Sequence, residues 1–98
     1  MNISIKSIHF TADQKLEKLI ENKISKLAQF HDAIIGANVY LRLEKNQESE
    51  NKVTEIKLDI PGTELFARKQ SNSFEKSADS TIEALTIQLK KFKEKQRL

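Results

Sequence analysis

Seventeen of the 98 residues are lysine or arginine, and where they stand is the sharpest chemical signal in the sequence. The last nine residues hold Lys90, Lys91, Lys93, Lys95 and Arg97 against one acid, Glu94, a local charge of +4. Residues 71–89 sum to −2 through Glu75, Lys76, Asp79 and Glu83, and the whole chain carries +3. A cationic end on a nearly neutral body suits a phosphate-bearing or acidic partner. Lysines near a helix C-terminus gain about 0.3–1 kcal/mol each from the helix dipole, but that effect fades beyond the last turn. Five cations exceed it, so the spacing favours a polyanion site over a solvated tail.

Other chemistry has little to work with. There is no cysteine, which excludes disulfides, thiolate nucleophiles and cysteine-based metal sites, and makes a reducing cytoplasm the default. The two histidines, His9 and His31, stand at a strand end and a helix end without the further ligands that a metal requires. Gly36 and Gly62 are isolated, so there is no phosphate-binding glycine loop and no nucleophile elbow. Serines lack a histidine–carboxylate relay, and Glu17 and Glu21 read as exposed helix positions. The sequence predicts neither catalysis nor a cofactor, a metal or a small-molecule substrate.

The elements that must position the lysines follow from periodicity. Residues 2–8 alternate as a strand with a bend near Ser7. Thr11 stands as an N-cap with Gln14 completing a capping box, and Leu16, Leu19, Ile20, Ile24, Leu27 and Phe30 form an apolar stripe on a helix from 12 to about 30. Residues 34–45 read as a strand with Ile35, Ala37, Val39, Leu41 and Leu43 on one face, and 46–51 as a polar hairpin loop. A strand over 52–60 turns inward Thr54, Ile56, Leu58 and Ile60, and Pro61-Gly62 is a turn. A strand over 63–70 follows, with Leu65 and Ala67 inward and Phe66 and Arg68 outward. Ser71-Asn72-Ser73 then caps a long helix, about 73–95, whose apolar face runs through Phe74, Ala78, Thr81, Ile82, Leu85, Leu89 and Phe92.

The order β-α-β-β-β-α calls for a right-handed crossover between the first two strands and hairpins thereafter. The expected fold is α+β: a two-layer sandwich, one domain over 1–98, with two helices on one face of a four-stranded sheet. No apolar run approaches the roughly 18 residues of a membrane span, and the N-terminus is not expected to be a signal peptide.

Stepped at about 100° per residue from Ile20, the first helix sorts its charges. Lys15, Lys18, Lys23 and Lys26 fall on one flank of the apolar stripe, while Asp13, Glu17 and Glu21 fall on the other. On the second helix Lys90, Lys93 and Arg97 fall on one flank of Leu85, with Lys91 and Lys95 on the opposite flank. The open sheet face carries Tyr40 and Phe66 among balanced charges and lacks a base-stacking platform. RNA would therefore meet the helices, through its backbone. The alternative is a protein-interaction module that regulates a transcription or stress factor through that open sheet face.

These residues also carry a resemblance. Lys23-x-x-Lys26-Leu27 runs into Phe30-x-Asp32-x-Ile34, followed by Glu64-Leu65-x-Ala67 and then Asp79-x-x-x-Glu83-x-Leu85-x-x-Gln88-Leu89-x-Lys91-x-Lys93. The whole chain resembles the short ribosome hibernation-promoting factors, also known as ribosome-associated translation inhibitors or sigma-54 modulation proteins. The resemblance implies a cytoplasmic protein, monomeric off the ribosome. It would bind 16S-type rRNA of the small subunit in the mRNA and tRNA channel at the decoding centre. There it would block translation and protect idle ribosomes in stationary or stressed cells.

Lys23, Lys26, Lys91 and Lys93 match the family's basic positions; Lys90, Lys95 and Arg97 extend them. Charge reversal at Lys23 and Lys26 is expected to abolish ribosome binding. The sequence departs from the family where a tyrosine-alanine-alanine stretch often opens the second helix, here Glu75-Lys76-Ser77 beside Phe74. It departs again at Phe92, a frequent basic or histidine position that is expected to pack here. With the sequence ending at Leu98, the second domain of long-form members is expected to be absent.

Overall fold

The computed structural model describes residues 1–45 and 48–96. Its elements are β1 (Asn2–Ile8), α1 (Gln14–Phe30), β2 (Gly36–Leu43), β3 (Lys52–Ile60), β4 (Thr63–Ser71) and α2 (Phe74–Gln96). The expected order and α+β sandwich are both present. The sheet runs β1-β2-β3-β4, with β1 parallel to β2 and the remaining pairs antiparallel. Asn46 and Gln47, from the expected hairpin loop, lie outside the described residues.

One sheet face and the two helices enclose the core. Ile20, Ile24 and Leu27 of α1 and Ala78, Leu85 and Leu89 of α2 close over Ala37, Val39, Leu41, Ile56, Leu58, Ile60 and Ala67. Each fully buried large aliphatic side chain contributes roughly 1.5–3 kcal/mol. A short polar seam crosses this core: Thr54 Oγ1 lies 2.7 Å from Ser77 Oγ, and Ser77 Oγ donates to the Phe74 carbonyl at 3.2 Å. The Thr81 hydroxyl lies 2.7 Å from Ser77 O and 3.1 Å from Thr54 O. All three side chains are fully buried, so the hydroxyls must satisfy one another and the backbone.

The element ends differ from expectation in informative ways. The N-cap of α1 is Asp13, not Thr11: its carboxylate accepts from Leu16 N at 2.8 Å, and an anion at a helix start gains from the dipole as well as from the hydrogen bond. The chain bends at His9, whose φ of +72° lies in the left-handed region, rather than at Ser7. Ser7 serves the same turn by accepting from Ala12 N at 3.3 Å. Beyond it Phe10 stacks on Phe74, ring centroids 4.7 Å apart, tying the loop before α1 to the first residue of α2.

Ile35, expected inward, is exposed, and Ile34 is buried instead. A turn from His31 O to Ile34 N directs the chain, and the ladder with its two-residue parity begins only at Gly36. A β-carbon on Gly36 would lie 3.0 Å from the Asn2 carbonyl oxygen, so glycine lets β1 pair closely there. Gly62, with φ +83°, completes the turn after Pro61 as expected. Ser73 caps α2 by accepting from Lys76 N at 3.1 Å.

Candidate nucleic-acid interface

The helices lie side by side and point the same way. Lys23 of α1 ion-pairs with Asp79 of α2, and further along Lys93 of α2 reaches Phe30, the last residue of α1. Both C-termini therefore meet at one end of the molecule, where their terminal carbonyls concentrate negative partial charge. The last turn of α1 has no basic residue of its own. Lys93 Nζ supplies one, donating to the Phe30 carbonyl at 3.2 Å. That hydrogen bond gives Lys93 a structural role beside any ligand role.

Between the helices runs a groove of about 740 Å³. Lys23, Lys26, Leu27, Phe30 and His31 line one wall; Asp79, Ile82, Glu83, Thr86 and Lys90 line the other. The sorted lysine flank of α1 thus faces α2. At the N-terminal end of the groove it meets acids, and there Lys23 is engaged by Asp79. Further along, Lys26 on the α1 wall and, nearer the C-terminal end, Lys90 on the α2 wall have no ion-pair partner among the described residues. Lys91 and Lys95 are exposed on the other flank of α2, the side on which Gln88 donates to the Phe66 carbonyl of β4 at 2.9 Å.

Cations therefore surround the end of α2. Arg97 lies outside the described residues. Lys15 and Lys18 are exposed but stand nearer the start of α1, Lys15 about 16 Å along the helix from Lys26 at 1.5 Å per residue. The structure does not bring those two together with the cluster.

Two residues of this site carry more than periodicity gave them. Phe30, expected in the core stripe, is 76% exposed at the lip of the groove. Its helical angle, near −80° from Ile20, falls between those of Lys23 and Lys26, on the lysine flank. His31, at the C-cap, is buried at 7% exposure with Nδ1 unpartnered. Burial holds its imidazole below the usual 6.5, and the nearby ammonium groups of Lys93 and Lys90 push the same way.

The open sheet face offers less free charge. Arg42 Nε donates to Glu55 Oε1 at 3.3 Å, and Arg68 lies between Glu55 at 3.6 Å and Glu44 at 3.4 Å. Its arginines are matched within the sheet, whereas the lysines at the helix ends are not. No cluster of three or more potential metal ligands occurs among the described residues, and no helix there is long and apolar enough to cross a membrane.

Residues 3–97 match the model of the sigma 54 modulation protein / S30EA ribosomal protein family. A ribosome hibernation promoting factor of Pseudomonas putida is 30% identical over 97 residues, spanning 99% of this chain and 91% of that protein. A ribosome hibernation promotion factor of Deinococcus radiodurans is 30% identical over 82 residues, 82% of this chain and 42% of that one. The fold superposes on a ribosomal subunit interface protein from Coxiella burnetii with a TM-score of 0.85 at 22% identity, covering 95% of this chain and 98% of that chain. On the N-terminal domain of Protein Y from Thermus thermophilus the TM-score is 0.79 at 22% identity, covering 94% and 99%. At that identity the structural likeness bears on the fold alone. The family match and the Pseudomonas relative each run almost the full length of the sequence, and the chain belongs to the sigma 54 modulation protein / S30EA ribosomal protein family.

Proposed function

We propose that this protein is a cytoplasmic ribosome hibernation factor. It binds the small subunit in the mRNA and tRNA channel at the decoding centre, as a monomer, and in stationary or stressed cells it blocks translation and protects idle ribosomes. Its family is one of ribosome-associated, non-enzymatic factors. The observation that carries the reading is the charge at the helix ends. Lys26, Lys90, Lys91 and Lys95 have no acidic partner among the described residues, while the arginines of the sheet face are paired. Phosphate contacts of this kind set affinity and orientation on RNA without requiring base readout.

Co-sedimentation of the purified protein with intact ribosomes and with separated subunits tests it, at low and near-physiological salt. Wild type should be retained on intact ribosomes and on the small subunit. A variant with Lys26, Lys90 and Lys91 all changed to glutamate should be lost with its fold intact, because all three side chains are exposed. Absence of wild type from the small-subunit fraction, or wild-type retention of the variant, would overturn the proposal.

A further inference from the structure

Phe30 is the most exposed of the large apolar side chains among the described residues, and it stands where α1 ends. The one stacked ring pair among those residues is Phe10 with Phe74, so both faces of the Phe30 ring are without an aromatic partner. Beside it the interhelical groove has Leu27 and Ile82 along its length, with Lys26 and Lys90 on opposite walls. The groove is an open cleft of about 740 Å³.

An aromatic ring, an apolar cleft and cations on both sides match the parts of one unpaired nucleotide: a π-face, a flat base and flanking phosphates. A duplex could use the lysines but keeps its bases stacked away from both ring and cleft. Position along the groove matters too. Asp79 holds Lys23 at the N-terminal end and Glu83 stands one turn further on, so the acids thin out toward the end where α1 stops and Lys90 stands.

We infer that this end of the groove lodges an unpaired base of the bound RNA, stacked on Phe30, with the adjoining phosphates on Lys26 and Lys90. The inference rests on the RNA-binding reading above and adds to it the class of RNA, single-stranded rather than duplex.

Fluorescence anisotropy on the full chain tests it with three labelled probes at one fixed salt. These are a short single-stranded RNA, the same strand annealed to its complement, and a strand of equal length made of abasic nucleotides. The single strand should bind more tightly than the other two. Phe30→Ala should weaken it by about 5- to 150-fold, the equivalent of one base–aromatic stack. Phe30→Trp should retain it, and the abasic strand should be indifferent to both changes.

No single-strand binding by wild type, equal binding of strand and duplex, or an unchanged single-strand affinity in Phe30→Ala would each overturn the inference. If Phe30→Ala leaves the ribosome yet keeps its oligonucleotide affinity, the ring meets a protein and the base site is likewise overturned. Retention of wild type on ribosomes is measured separately, so failure of the base site and failure of the ribosome reading are distinguishable.

Discussion

Replacing Asp79 with asparagine should tighten RNA binding. The Asp79 carboxylate holds the Lys23 ammonium across the groove, so one cation that the sequence offers to a polyanion is already engaged. The pair is open to solvent, its side chains 27% and 60% exposed, which limits its worth to the fold to about 0–1 kcal/mol. Asparagine keeps the shape of the side chain while removing the charge. The variant should therefore fold like wild type and present Lys23 to the ligand.

Each additional phosphate neutralised steepens the dependence of log K on log salt by about 0.7 on a single strand and about 0.9 on a duplex. If this contribution vanishes near 1 M salt, one more neutralised phosphate is worth about 5- to 8-fold in affinity at about 0.1 M. Anisotropy titrations at several salt concentrations read both the affinity and the slope. Lys23→Gln should have little effect in the wild-type background, where the lysine is neutralised, and should cancel the tighter binding in the Asp79→Asn background. That non-additivity is the signature of the pair. An Asp79→Asn variant with unchanged slope and no tighter binding would refute the reasoning and leave Lys23 outside the RNA site.

Two further predictions concern the fold that holds the site. Ser77→Ala removes the hydroxyl partner of the buried Thr54 side chain and should cost about 1–3 kcal/mol in urea unfolding, whereas a loss below about 0.5 kcal/mol would mean that Thr54 finds another partner. His31 is held below the usual 6.5 by burial and by Lys93 and Lys90, so as pH falls the unfolded chain takes up that proton before the folded one does. Stability should be unaffected by this group above about pH 7 and decline below about pH 6.5. His31→Gln should flatten that decline in urea midpoints measured from about pH 7 to pH 5; an identical pH dependence would assign the acid sensitivity elsewhere.

Much of the architecture was legible because the signals that specify it are local. Two-residue alternation over 52–60 identified the inward face of β3, and all four of its inward residues are buried. Pro61-Gly62 and Ser73 carry their turn and cap chemistry in their own backbone and side-chain geometry. The readings that shifted lie where local signals competed. Thr11 reads as the cap of α1 in sequence, and Asp13, two residues on, supplies the carboxylate that caps it. Ile35 followed the parity of β2 in sequence but precedes its ladder in space.

The sequence by itself determined the order of elements, the core faces and the excess of lysine at the C-terminus, because these depend on residue type and spacing along one segment. The tertiary structure decided which lysines are available to a ligand. It aligned α1 and α2 in parallel, brought Asp79 onto Lys23, placed Lys93 on the terminal carbonyl of α1 and left Phe30 exposed beside Lys26 and Lys90. A helical wheel gives the angle of a side chain about its own axis, whereas its charge partner comes from a helix more than fifty residues away, and only packing brings the two together.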